Sequence, residues 1–170
     1  MIARASRSKV PGHLKQPADM KTILVGYDGT RSAEKALARA AQLARAFGGT
    51  VVVISVVAPE PVDTSGAFGL MPYSTYEPGR IDPRADEAVW QEHRAEVESF
   101  LGKAGVASKF VGVVGEPVGE IVDAAAGLGA DLIVVGTREP GFLERLLGGS
   151  ISQGVARHAS CDVLIVHPAE

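Results

Sequence analysis

Gly136, Gly148, Gly149 and Ser150 are the residues of this 170-residue chain whose types and spacing best suit chemistry, and that chemistry is the holding of an anion. Gly136 lets the backbone turn sharply after an apolar run, while Gly148-Gly149 followed by Ser150 can present amide N–H groups where a helix begins. Such amides and the helix dipole favour negative charge, so phosphate oxygens can be held without a dedicated lysine. Ser150 can add a hydroxyl hydrogen bond. Taken alone, the same glycines also read as a plain turn with a serine N-cap.

Other reactive side chains offer less. Arg138 and Arg145 carry guanidinium forks that suit phosphate oxygens, although solvated loop arginines are the commoner outcome. His158 and His167 stand apart in sequence, as helix-end and surface residues do. Cys161 reads as a small apolar side chain before the last strand. The chain carries no Walker lysine, no zinc-ligand spacing and no Ser-His-Asp signature, and no residue pair stands out to activate water.

The elements that must position these residues are legible from periodicity. Thr22–Asp28 is short, apolar and partly β-branched, and Gly29-Thr30 interrupts it, so it reads as a first strand. From Arg31 to Phe47, Ala33, Ala36, Leu37, Ala40, Ala41, Leu43 and Ala44 recur at helical spacing before Gly48-Gly49. Val51–Val57 is almost continuously apolar, as a strand covered on both faces requires. The Pro- and Gly-rich stretch from Pro59 to Pro83 reads as a mobile loop or lid. Arg84 to Gly102 reads as an amphipathic helix with Ala88, Val89, His93, Val97, Phe100 and Leu101 near one face and Trp90 at its margin.

Lys109–Val114 is a third strand, and Pro117 suits the first turn of the helix that follows through Val118, Ile121, Val122 and Ala125. Leu132–Val135 is a fourth strand ending at Gly136, Ser150–His158 a helix and Asp162–Val166 a fifth strand. Alternating strands and helices imply a parallel sheet with right-handed crossovers and suit a doubly wound α/β fold of flavodoxin or Rossmann type, for which the flavodoxin-like strand order 3-2-1-4-5 is expected. In that order the carboxyl ends of strands one and four flank the reversal in winding, where a crevice opens. Asp28 and Gly136 stand at those ends.

Composition bounds the rest. The length suits one domain, expected over residues 21–170 behind a flexible arm at 1–20 in which Met20 is an alternative start. Seventeen basic and twenty acidic residues leave a formal charge of −3, so no global field recruits nucleic acid or an anionic membrane. A single cysteine excludes an internal disulfide and a cysteine-rich metal site and fits a reducing, cytoplasmic setting. The apolar runs fall short of the roughly 20 residues a spanning helix needs. The first twenty residues lack a continuous apolar signal core.

Several motifs in order are similar to those of the universal stress protein family. They are Tyr-Asp-Gly-Thr at Tyr27–Thr30, the Gly115-Glu116-Pro117 turn, Gly-Ala-Asp-Leu-Ile-Val-Val-Gly-Thr-Arg at Gly129–Arg138, and the closing run Arg157–Val166. The resemblance extends from Lys21 through His167 and implies an adenine-nucleotide site for ATP or AMP, with Mg2+ alongside ATP. It implies contacts from Asp28, Val56, Gly136, Thr137, Arg138, Gly149, Ser150 and Ile151. In the family pattern G-x2-G-x9-G-[S/T], Gly136, Gly149 and Ser150 match, whereas the second glycine falls on Glu139, followed by Pro140. A carboxylate there adds repulsion toward a triphosphate, and a side chain before proline narrows the backbone choices. Gly141 permits a shifted loop; alternatively Glu139 points to solvent, holds magnesium indirectly, or pairs with Arg138 or Arg145.

Asp28 matches the acidic residue that faces the adenosine moiety in nucleotide-binding members, and a strand-end aspartate capping the next helix through the Thr30 and Arg31 amides explains it equally. Val56 matches the apolar residue against adenine, and core packing explains it as well. Gly26 stands where relatives can have proline. The resemblance further implies a homodimer through the last strand, whose apolar edge invites pairing. The expected function is therefore nucleotide binding in stress response or signalling, without catalysis. Its alternatives are a dimeric interaction protein that does not bind ATP because of Glu139, and a slow ATPase.

Overall fold

The computed structural model describes residues 20–59, 83–137 and 151–167. In chain order the elements are β1 (Thr22–Gly26), α1 (Arg31–Phe47), β2 (Thr50–Val57), α2 (Pro83–Lys103), β3 (Ser108–Val114), α3 (Pro117–Leu128), β4 (Leu132–Gly136), α4 (Ile151–His158) and β5 (Asp162–Val166). The expected arm at 1–20, apart from Met20, lies outside the described residues, as do residues 60–82 of the expected loop.

The strands form one parallel sheet in the order β3-β2-β1-β4-β5, the order expected from the sequence. Helices cover both faces because β-branched runs buried on two sides must be sheltered twice. On one face Ile23, Val25, Val51, Val53 and Val134 pack with α1 and with Val97 and Leu101 of α2. On the other, Leu24, Val52, Ile54, Ile133 and Val135 pack with Ile121 and Ala125 of α3 and Val155 of α4. Each fully buried Val, Leu or Ile contributes about 1.5–3 kcal/mol relative to an exposed one.

Helix ends follow local chemistry. Thr30 caps α1, its hydroxyl accepting from the Ala33 amide at 3.3 Å, and Gly48 ends the helix in the left-handed conformation at φ 69°. Glu116 caps α3, its carboxylate accepting from the amides of Val118 at 3.1 Å and Gly119 at 2.7 Å, with Pro117 next in the chain. Pro117 lacks only an N–H that the first turn leaves unused. Asp131 stitches β1 to β4 at their starts, accepting from the amides of Lys21 and Thr22.

Two expectations need correction. The first strand ends at Gly26, two residues early: the Tyr27 amide still donates to the Ile54 carbonyl at 2.9 Å, and the chain then turns at Gly29. In α2 the buried stripe is Val97 and Leu101, with Trp90 and His93 half-buried above them, while Ala88, Val89 and Phe100 are exposed. At about 100° per residue, Trp90 lies almost in line with Val97, Val89 and Phe100 fall on the flanks, and Ala88 points the opposite way. Trp90 thus faces the sheet rather than the margin.

Candidate functional site

Asp28, Val56 and Gly136 come together at the carboxyl edge of the sheet. The β1–β2 register pairs Gly26 with Ile54, so continuing it by two places Asp28 level with Val56. The β1–β4 register pairs Val25 with Val134, which sets Gly136 level with Tyr27. The three residues therefore occupy neighbouring strand ends at the reversal in winding, where α/β sheets open a crevice.

The Asp28 carboxylate is held locally. Its Oδ1 accepts from the Thr30 hydroxyl at 2.6 Å and from the Thr30 amide at 3.1 Å. Thr30 is the α1 cap, and Asp28 accepts from the amide and hydroxyl of that cap, as expected from the sequence for the Thr30 amide. Val56 and Ile151 are half-buried and pack against the same apolar cluster as α3 and α4. They line one side of the sheet with Asp28 at its end.

Gly136 is required by close packing. A Cβ there would lie 2.6–2.8 Å from the carbonyl carbon, carbonyl oxygen and Cβ of Ser32, in the first turn of α1. Thr137 extends the sheet: its amide donates to the Val166 carbonyl at 2.9 Å, and its hydroxyl donates to the same oxygen at 3.4 Å. Arg138, Glu139, Arg145, Gly149 and Ser150 lie outside the described residues. Among the other residues read from sequence, His158 donates from Nδ1–H to the Gly154 carbonyl, 2.8 Å away, within its own helix. Among the described residues no group of three His, Cys, Asp or Glu could hold a metal ion. No helix among them is long and apolar enough to cross a membrane.

A second constellation was not anticipated. On the opposite face of the same strand ends, Ser55 is buried and its hydroxyl lies 2.8 Å from Nδ1 of His93. Tyr27, also buried, donates its phenol O–H to Glu96 at 2.8 Å and meets the His93 ring edge to face, with centroids 5.2 Å apart. Burial, reinforced by the bond to Glu96 and by the negative charge of Glu96, Glu34 and Asp28, pushes the Tyr27 phenol well above the usual tyrosine range. Beside His93, the Trp90 ring covers Gly112, where a Cβ would collide with it, and among the described residues its buried Nε1 finds no hydrogen-bond partner.

The register explains this cluster. Ser55 pairs with Gly112 across β2 and β3, and Tyr27 continues the same row from β1. A row of Tyr, Ser and Gly interrupts otherwise apolar strands, and the missing bulk at Ser55 and Gly112 makes room for two rings from α2. Those interruptions were the available signal, since a serine inside Val51–Val57 has no place in a dry sheet without a partner.

Comparison with known proteins bears on this geometry. Residues 20–167 match the model of the universal stress protein family. A universal stress protein of Thermus aquaticus, from the QAH/OAS sulfhydrylase 3' region, is 36% identical over 146 residues, covering 86% of this chain and 98% of its own. Universal stress protein YxiE of Bacillus subtilis is 32% identical over 147 residues, covering 85% of this chain and 97% of its own. Among solved structures, a universal stress protein in complex with cAMP is 28% identical, with a TM-score of 0.64 over 88% of this chain and 98% of that one.

Proposed function

This chain belongs to the universal stress protein family, and we propose that it binds an adenine nucleotide of the ATP or AMP type at the carboxyl ends of β1 and β4. The observation that carries the reading is the alignment of Asp28, Val56 and Gly136 on three neighbouring strand ends at the winding reversal. The relative solved with cAMP supports the ligand class. In this reading Asp28 accepts hydrogen bonds from the ribose or base, and Val56 and Ile151 supply apolar contact. Gly136, Thr137, Arg138, Gly149 and Ser150 form the loop around the phosphates, with Mg2+ accompanying ATP. The protein acts by binding, in cytoplasmic stress response or signalling, and turnover is not part of the reading because the sequence offers no evident residue pair to activate water.

The homodimer is part of the same proposal. Among the described residues β5 pairs only with β4, and its residues Val163–Val166 are half-buried, so within them it forms an apolar sheet edge of the kind that invites pairing with another chain.

Glu139 favours a second reading, a dimeric interaction protein without ATP affinity, because it stands where the family pattern has glycine. Mass spectrometry of the protein purified from cells separates the two: retained adenine nucleotide supports the first, and an empty protein the second. Titration with ATP then compares the unaltered protein with Glu139→Gly. Tighter ATP binding in the variant is expected if the carboxylate opposes the triphosphate; equal or weaker binding removes that obstacle from the account.

A further inference from the structure

We propose that His93 is a positioning residue for the nucleotide, setting the Asp28–Thr30 loop from behind through its bond to Ser55. The inference rests on the nucleotide reading of Asp28 and Val56. Each of those residues directly follows one that contacts α2: Tyr27 precedes Asp28 and donates to Glu96, and Ser55 precedes Val56 and bonds His93. Successive residues of an extended chain face opposite sides. One side of the strand ends therefore belongs to the ligand and the other to α2.

The imidazole has little freedom in this setting. Ser55 fixes Nδ1 at 2.8 Å, and the Tyr27 ring meets it at an interplanar angle of 89°. Nε2 is thereby directed at Gly29, where a Cβ would lie only 2.9 Å from it. Gly29 has φ +71°, a conformation that L side chains avoid, so the loop shape depends on the glycine and on the ring tip packed against it. That loop carries the Asp28 carboxylate, itself tied to Thr30 at the head of α1. A shift of α2 displaces the ring, the loop and the carboxylate together, and by linkage nucleotide binding must act back on α2.

Trp90 supplies the readout. It is the only tryptophan of the chain and stands one helical turn before His93 on the same face of α2, over Gly112. Calorimetric titration of AMP and ATP into the full chain, followed in parallel by Trp90 emission, tests the proposal with His93→Ala and His93→Gln. In the unaltered protein both nucleotides are expected to bind and to change the emission. His93→Ala is expected to weaken AMP and ATP by the same factor, roughly fivefold or more, and to abolish the emission change. An equal factor follows because the ring acts on the nucleoside end and not on the phosphates. His93→Gln, which can still hydrogen-bond Ser55, is expected to recover part of both.

Unaltered affinity and emission response in His93→Ala, or a loss confined to ATP, overturns this proposal alone. Absence of binding heat in the unaltered protein overturns the nucleotide reading and the proposal with it. Where His93→Ala fails to fold, NMR of the unaltered protein decides: the His93 imidazole signal, identified among four histidines by its absence from the His93→Gln spectrum, must move on saturation with AMP. An unmoved signal overturns the proposal.

Discussion

Gly136 at the end of β4 lies directly on the backbone of Ser32 in the first turn of α1, so close that a Cβ would stand 2.6 Å from the Ser32 carbonyl carbon. The contact brings the start of α1 onto the strand at the winding reversal. It also means that this glycine serves packing whether or not a phosphate is present.

Gly136→Ala is therefore expected to destabilise the apoprotein, because its obstacles include helix backbone that cannot rotate away. Overpacking of this kind costs about 1–3 kcal/mol. Urea unfolding without ligand measures it, and an unchanged midpoint would contradict the packing account.

Tyr27→Phe removes the donor to Glu96 and is expected to cost about 1 kcal/mol near neutral pH. The alkaline limb carries the sharper result. Folded Tyr27 keeps its proton beyond the pH, about 10, at which an unfolded tyrosine releases it. Above that pH the unfolded chain binds fewer protons than the folded one, so the stabilisation present at lower pH is lost as pH rises. Unfolding free energies measured across this range should fall with a steeper slope in the unaltered protein than in Tyr27→Phe, and parallel slopes would refute the assignment.

Gly112→Ala places a methyl group against the Trp90 ring and should displace it from β3. A changed emission maximum with a stability loss of about 1–3 kcal/mol is expected. Emission identical to the unaltered protein would mean that Trp90 does not rest there in solution.

Glu116→Ala deprives α3 of a cap that accepts from two amides. A loss of about 1 kcal/mol is expected by chemical denaturation, with Glu116→Asn retaining much of the stability because asparagine also caps.

The edge of β5 predicts twice the chain mass in light scattering at micromolar concentration. A monomer mass would remove the homodimer from the proposed function.

Much of the fold was legible because parallel strands buried on both faces are written as continuous apolar runs. Ile23–Val25, Val51–Ile54 and Leu132–Val135 announce themselves in this way, and Gly48 and Pro117 punctuate the helices between them. Helix α2 was less legible. Its inner face is half polar, so Val89 and Phe100 were grouped with the core although they are 39% and 41% exposed. Of the candidate site, Asp28, Val56 and Gly136 could be found because strand ends at a winding reversal are predictable once strand order is inferred.

Composition and periodicity determined the layered parallel sheet, since it depends on repeating patterns of local hydrophobicity, and the flavodoxin-like strand order expected for such a sheet then set where its winding reverses. Only the tertiary structure decided that Ser55 meets His93, that Tyr27 meets Glu96, and that Gly29 yields to an imidazole. Each of these contacts joins residues at least 38 positions apart or crosses between elements, and it depends on the rotation of α2 about its axis. That rotation is set by which side chains find room over Ser55 and Gly112, a matter of three-dimensional fit that a linear pattern does not carry.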